Sequence, residues 1–410
     1  MNLWQDPKAR LILTGNFLLV VGSGITWVAV PWLLIHQPNG DAIFGLSNSA
    51  LTLLIFLLLP FLGKAIDRHS RKKVLILYYA VGISTNLFVI AMILLQGHVA
   101  PWHLVVSISM GSLGISVYYP VQFAFNQEVL ARDQYSALSG AIEVQWQAGA
   151  MIAGGLASFL ISRTPLTWIL LFDTGTFTAA LVVLAFVPYR RNSSLDANVG
   201  SAWKLMLEGL GYLRVRPRLS SVLFGSYLPF LRIMIGGYLL PLFIKITLHA
   251  GPEVYGLAEV FYSSGALLAG LIVPSLGDRI GWLATLLLTV GCYTVSVVVN
   301  PLCPGVVVLL GSLVLQGLGN AGSRVARSTM ALQAIPNELI GRVNLFYSAL
   351  ERLLRAIFLA VVTQQVATTD PKSGYWTMAS IGLTGWITIF CCRRFRHEKV
   401  IPAFPSEEVL

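Results

Sequence analysis

Gly63-Lys64-Ala65-Ile66-Asp67-Arg68-His69-Ser70-Arg71-Lys72-Lys73 is a dense run of charge between two apolar stretches, near 42–63 and 74–96. A stretch of about 20 apolar residues crosses a hydrocarbon core of ~30 Å at ~1.5 Å per residue. The charges therefore belong to a short turn between two membrane spans. Gly63 reads as the residue that ends the first span.

The same alternation runs from Leu11 to Cys392. Of the 410 residues 56% are apolar and 11% charged, against roughly 25% charged in soluble domains. About twelve spans can be drawn, the first six near 11–35, 42–63, 74–96, 102–124, 137–162 and 166–187. The second six lie near 219–246, 255–276, 283–302, 306–330, 341–366 and 374–392. The longest polar interruption is 188–217. It predicts an all-α membrane protein with six-helix bundles over 1–187 and 218–393, a linker over 188–217 and a tail over 394–410. Within the linker, Leu205, Met206, Leu210 and Leu213 beside Lys204, Arg214, Arg216 and Arg218 suggest an amphipathic helix on the membrane surface. The competing reading is a tether between the halves. The first span is too long for a signal peptide and is expected to be retained. No soluble catalytic domain interrupts the spans.

The net charge of +10 has a one-sided distribution. With both termini cytoplasmic, the inner side gains Lys8, Arg10, the bases from Lys64 to Lys73, Arg132, those from Arg190 to Arg218, Arg279, Arg342 and the tail bases. The outer side keeps Arg163, Lys245 and Lys372. Loops rich in Lys and Arg stay on the cytoplasmic side, so the excess marks orientation in a bacterial inner membrane rather than a nucleic-acid partner. Enzyme chemistry is not supported. Cys292, Cys303, Cys391 and Cys392 lack metal-ligand spacing, and no G-x-x-x-x-G-K-S/T loop is present for ATP. No cofactor or metal is expected. His36, His98, His103 and His249 fall at outer span ends, where contact with water is expected.

The spacing G-x-x-x-D-R-x-x-R-K, carried by Gly63, Asp67, Arg68, Arg71 and Lys72, resembles the loop signature of the major facilitator superfamily between its second and third spans. A worn second copy, Gly277-Asp278-Arg279-Ile280-Gly281, has Pro274 where the leading Gly would stand and Trp282 in place of the later Arg. Three further segments resemble the superfamily's exporter branch, which includes macrolide efflux pumps and the enterobactin exporter. They are Val28-Ala29-Val30-Pro31, Glu208-Gly209-Leu210-Gly211-Tyr212-Leu213, and Thr329-Met330-Ala331-Leu332-Gln333 with Gly341-Arg342-Val343-Asn344. The resemblance implies a monomer with two halves in pseudo-two-fold symmetry, rocking about a midplane site. It assigns gating of the inner face to Gly63, Asp67, Arg68, Arg71, Lys72, Asp278 and Arg279. For Lys72 and Lys73 the competing role is topology alone. Gly149-Ala150-Met151-Ile152-Ala153-Gly154-Gly155 lacks the Pro of drug–proton antiporters, which sets this chain apart from their pattern.

Charges deep in a span are costly and mark candidate sites. Arg232 lies near the middle of the seventh span. Arg352 and Arg355 stand at i,i+3 in the eleventh, with Glu351 four residues before Arg355 and able to pair with it. Arg324 and Arg327 share a face of the tenth span. Arginine grips carboxylate or catecholate oxygens in a fork, so an anionic or amphipathic small molecule is the expected substrate. Glu143, Glu351 and Asp173 are candidate proton carriers, with a satisfied structural role favoured for Asp173; a further acid, Glu259, lies near the outer end of the eighth span. Trp27, Asn16, Tyr119, Gln122, Trp146 and Tyr347 supply flat or amide contacts for the same cavity. Packing or interfacial anchoring competes at each. The favoured reading is a proton-driven exporter of an anionic siderophore. Macrolide or multidrug efflux is the alternative, and a non-transporting scaffold or receptor is the alternative of another class.

Overall fold

Inside a bilayer each backbone N–H and C=O must be answered by the protein, which leaves uninterrupted helices as the way to thread these apolar runs. The computed structural model describes residues 5–130, 135–189 and 202–392. It gives the backbone alone at 59–68, 115, 127, 135–137, 139–140, 143, 202–203, 230, 232–233 and 337–338. The first half comprises α1 (Pro7–Ile35), α2 (Gly40–Arg68), α3 (Arg71–Gln96), α4 (Pro101–Val129), α5 (Tyr135–Leu160) and α6 (Leu166–Phe186). The short α7 (Ala202–Arg214) follows. The second half comprises α8 (Pro217–Leu242), α9 (Pro252–Ile280), α10 (Trp282–Leu302), α11 (Val306–Ala334), α12 (Asn337–Thr368) and α13 (Pro371–Cys391).

Among the described residues nine helices are both long and apolar enough to cross a membrane. The expectation of about twelve is met in length by α5, α12 and α13 but not in apolarity. In α12 the reason is plain: Arg342, Glu351, Arg352 and Arg355 interrupt it.

Local signals set the boundaries. Pro in the first turn opens α1, α4, α8, α9 and α13, where its missing N–H would have had no partner. Asp6 caps α1 by accepting the Lys8 N–H at 2.9 Å, and Asp370 caps α13 by accepting that of Ser373 at 3.1 Å. The charged turn corrects the reading of Gly63: α2 runs through it to Arg68, so the turn proper is His69-Ser70. The second copy behaves alike. Asp278 and Arg279 lie in the last turn of α9, and the bend is Gly281 alone, at φ +86°, which a side chain would strain. His103 also departs from expectation. It is fully buried at the start of α4, where its Nδ1 accepts the Ala100 N–H at 2.9 Å.

The ends of the bundle differ. One, the basic end, carries both sides of the α2–α3 turn and α7; the other, the far end, carries the α1–α2 and α8–α9 connections. Across the halves α5 packs along α9 and α2 along α12. At the far end the halves share a single apolar core, in which Ile35, Phe44 and Leu166 meet Tyr238, Phe243, Val362 and Tyr375. Toward the basic end the halves keep separate cores, one built on Tyr79, Phe125 and Phe177 and another on Leu213, Leu223 and Tyr347. The described protein is therefore closed at the far end and parted toward the basic end.

The closure is close-packed. Trp32 stacks on Tyr255 with centroids 5.6 Å apart, and Phe44 meets Tyr238 at 5.4 Å. Lys245, in the π-helical turn Phe243–Thr247 after α8, donates to the carbonyl of Ile35 at the end of α1. There its cation also meets the negative end of the helix dipole. Where α5 and α9 cross, a Cβ on Gly256 would lie 2.5 Å from the backbone N of Ser158 and 2.6 Å from the carbonyl of Gly154. Only glycine permits that approach. Gly256→Leu should wedge α9 off α5, so that spin labels at Ser162 and Thr368 report a longer mean distance. The open position Gly270, where an added side chain meets nothing within 4 Å, should tolerate the same change without lengthening it.

Candidate functional site

Ser116, Tyr119 and Phe123 share one face of α4 by their spacing. That face looks across to the second half, because Arg352 Nη1 of α12 donates to Ser116 Oγ at 3.2 Å. Tyr119 is 36% exposed and meets Trp146 of α5, 39% exposed, edge-on with centroids 5.2 Å apart. Trp27 is 43% exposed although α1 is packed against α4, α5 and α6. Tyr119 and Trp146 thus form an exposed aromatic pair on the first half, and the Trp27 ring lies over Gly111 of α4. Asn16 and Gln122, expected in the same cavity, lie in the packing instead. Asn16 Oδ1 accepts from Tyr118 Oη at 2.7 Å, and Gln122 donates to Asn126 Oδ1 at 3.0 Å.

The second half presents cations. Arg352 and Arg355 do not act as one face: the first reaches α4, while Arg355 Nη1 turns to Met234 Sδ of α8 at 3.4 Å. The expected Glu351–Arg355 pair is not closed. Glu351 Oε1 and Arg355 Nε are both buried without a hydrogen-bond partner among the described residues. Sulfur is a weak acceptor, so the guanidinium of Arg355 keeps hydrogen-bonding capacity in reserve. Arg327 instead staples α11 to α8, donating to the Ser226 carbonyl at 3.0 Å with its guanidinium 3.9 Å from the Tyr227 ring centre. Arg324, on the same helix, has a buried Nε. Tyr347 is 2% exposed, stacks on Tyr227 at 4.8 Å and donates to the Ser220 carbonyl at 2.8 Å. It supports a cleft bordered by Tyr227, Leu231, Leu350, Glu351 and Leu354 rather than a free wall. The side chains of Arg232 and Glu143 lie outside the described residues.

The charged turn is knitted into the first half. Arg71 is 8% exposed and its Nε stands 4.0 Å from Glu128 Oε1 at the end of α4. Tyr189 donates to the other oxygen of Glu128, and burial, followed by that carboxylate, holds its phenol above the usual range. Lys72 has a fixed role: its Nζ donates to the carbonyls of Ala185 and Val187 at 2.9 and 2.8 Å, satisfying the C-terminus of α6. Glu128 and Tyr189 were not legible as partners from the sequence, since three helix ends must meet before they are neighbours. The side chains of Asp67 and Arg68 are outside the described residues, and Asp278 and Arg279 are exposed. α7 is docked on protein. Glu208 pairs with Arg342 at 2.7 Å, Tyr212 donates to the Ala334 carbonyl at 3.1 Å, and Tyr212 and Leu213 are buried. That contact makes it a tether anchored on the second half.

Asp173 of α6 is 3% exposed and accepts three side-chain donors at 3.1 Å, from Ser23 and Thr26 of α1 and Asn86 of α3. It braces three helices of one half and does not face the space between the halves. Among the described residues no group of three or more His, Cys, Asp or Glu is placed to hold a metal ion, and all four cysteines are free.

Known proteins share the fold. The sequence model of the Major Facilitator Superfamily matches residues 12–359. Macrolide efflux protein A of Streptococcus pyogenes is 20% identical over 396 residues, 95% of this chain and 96% of that protein. Among solved structures, a bacterial homologue of the iron transporter ferroportin in its inward-facing state superposes with a TM-score of 0.72. It is 18% identical and covers 95% of this chain and 100% of its own. The outward-facing state of such a homologue gives 0.60 at 16% identity, with the same coverage.

Replacing Asp173 by Ala strands three donors and should lower the unfolding free energy by about 1–3 kcal/mol. Glu208→Ala removes an ion pair whose side chains are 35–37% exposed, and should cost no more than about 1 kcal/mol. Thermal unfolding of both variants in detergent checks the order.

Proposed function

The chain belongs to the Major Facilitator Superfamily and is a multi-pass membrane transporter, not an enzyme; from that premise we propose that it exports a small amphipathic organic anion by alternating access. The observation that carries the reading is the two-sided cavity. Trp27, Tyr119 and Trp146 offer flat apolar contact from the first half, while Arg352 and Arg355 offer guanidinium donors from the second. Near these donors the one described acid is Glu351, so the wall keeps a positive excess that suits oxygen-rich anions. Carboxylate and catecholate siderophores are the class that best fits rings on one side and oxygens on the other.

The lopsided placement of Lys and Arg supports a bacterial inner membrane with the basic end in the cytoplasm. The moving units are 1–187 and 218–393, joined by 188–217 with α7 riding on the second. A closed far end and parted basic ends correspond to the state that loads from the cytoplasm. In that state the turn between α2 and α3 holds its own half together through Arg71 and Lys72. Asp67, Arg68, Asp278 and Arg279 close the inner face when the halves rock. Macrolide efflux is the second reading, favoured by the relatives' name and by the aromatic rings alone.

Ligand-induced thermal stabilisation separates the two, because a ligand that binds only the folded protein raises its apparent stability with occupancy. Carboxylate or catecholate siderophores should raise the Tm of the purified protein, and Arg355→Gln should weaken that binding by roughly tenfold or more, as a lost charged hydrogen bond is worth about 1.5–3 kcal/mol. A shift with macrolides alone, unmoved by Arg355→Gln, would overturn the anion reading and leave drug efflux.

A further inference from the structure

One face of α7 is anchored on the second half, and the opposite face is bare. On the anchored face a Cβ added at Gly209 would lie 2.5 Å from the carbonyl oxygen of Arg342, so the two backbones touch. Tyr212 and Leu213 are buried there, and Glu208 pairs with Arg342. Lys204, Leu207, Gly211 and Arg214 recur at steps of three, four and three residues, which places them together on the other side of the helix. All four are exposed, Leu207 to 60%, and a Cβ added at Gly211 would meet nothing within 4 Å. Val215, next in the chain, is 62% exposed.

The bare face has a fixed height in the bundle. Tyr212 donates to the carbonyl of Ala334, the last residue of α11, and Arg342 stands in the second turn of α12. Since α11 is long and apolar enough to cross a membrane, α7 lies level with the end of a span, at the depth of the lipid headgroups. It also touches α2 of the first half. Among the described residues no hydrogen bond or ion pair reaches the side chain of Lys204 or Arg214. The described acid of α7, Glu208, is taken up by Arg342 and leaves the bare face wholly basic.

Bases set around an aliphatic side chain suit the boundary of an anionic bilayer, where cations meet phosphate and the aliphatic group reaches the acyl edge. The larger apolar face of α7 is covered by α12, so this helix cannot sink into the bilayer as a free amphipathic helix does. Its basic side is what it can offer. We propose that the bare face of α7 is a docking surface for anionic phospholipid headgroups of the membrane that the protein spans. Lys204 and Arg214 hold the phosphates, and Leu207 enters between them. The two readings of the linker, a tether and a membrane-surface helix, are then opposite faces of one element. Because α7 is fixed to α12 and meets α2, the lipid gives the second half a footing beside the first at the basic end. The inference rests on no substrate and on no direction of transport.

The test places a nitroxide on Leu207→Cys, in full-length protein whose four native cysteines are replaced by Ser, in nanodiscs of phosphatidylcholine with and without phosphatidylglycerol. With phosphatidylglycerol, oxygen should reach the label more readily than a water-soluble nickel reagent does, and without it that preference should fall. Thermal unfolding in neutral detergent, with short-chain phosphatidylglycerol as the probe, gives a second readout. A base near an anionic surface is worth roughly fivefold in affinity, so Lys204→Gln with Arg214→Gln should need roughly 25-fold more lipid for the same rise in Tm. Arg163→Gln with Lys372→Gln, at the far end, should titrate like the wild type, and inorganic phosphate should not replace the lipid. A label open to nickel in both nanodiscs overturns the proposal and turns the face toward a soluble partner. A Lys204→Gln, Arg214→Gln protein that titrates like the wild type overturns it too, as does an equal response to inorganic phosphate.

Discussion

Because hydrocarbon offers no hydrogen-bond partner, each polar group in this chain has to be answered from within the protein or placed where water can reach it. Helices meet that demand for the backbone. For side chains the demand is met locally, and the solutions organise the protein. Asp173 gathers Ser23, Thr26 and Asn86 and so ties α1, α3 and α6 together. Lys72 closes the carbonyl end of α6, and Arg327 closes a carbonyl of α8. Each of these contacts lies inside one half. The halves can consequently move as bodies without breaking these contacts.

Contacts between the halves are of a different kind. At the far end they are mostly apolar or backbone to backbone: Trp32 on Tyr255, Phe44 on Tyr238, Gly256 on Ser158. Such contacts carry no large desolvation cost when they part and re-form. Among the described residues the polar exceptions are Lys245 on the Ile35 carbonyl and Arg352 on Ser116. The first clasps the far end, and the second joins α12 to α4. An arginine that bridges the halves through a single hydroxyl is also one that a bound anion can draw away. Under the proposed anion export, substrate binding and separation of the halves would act on the same guanidinium.

Much of this was legible in the sequence, and the failures share a cause. Span positions, the central linker and the one-sided charge follow from composition and order alone. The nearness of Tyr119 and Trp146, on neighbouring helices of the first half, needed the packing of α4 and α5 to be seen. The errors lie with polar residues of the spans. Asn16, Gln122 and Tyr347 look like cavity residues by depth, yet neighbours on adjacent helices hold them in the packing. Arg352 and Arg355 look like a pair by spacing, yet a long flexible side chain follows its nearest acceptor, not the helix face on which its Cα stands.

The sequence by itself determined that the chain crosses a membrane many times, that it divides into two similar halves, and which end carries the positive charge. These are properties of apolar length and of charge order, which need no knowledge of neighbours. The tertiary structure decided which charges are paired and which are left bare, and at which end the halves are closed. Partnership among side chains depends on distances between helices that are remote in sequence. Glu128 finds Arg71 and Tyr189, and Asp173 finds three donors on two other helices.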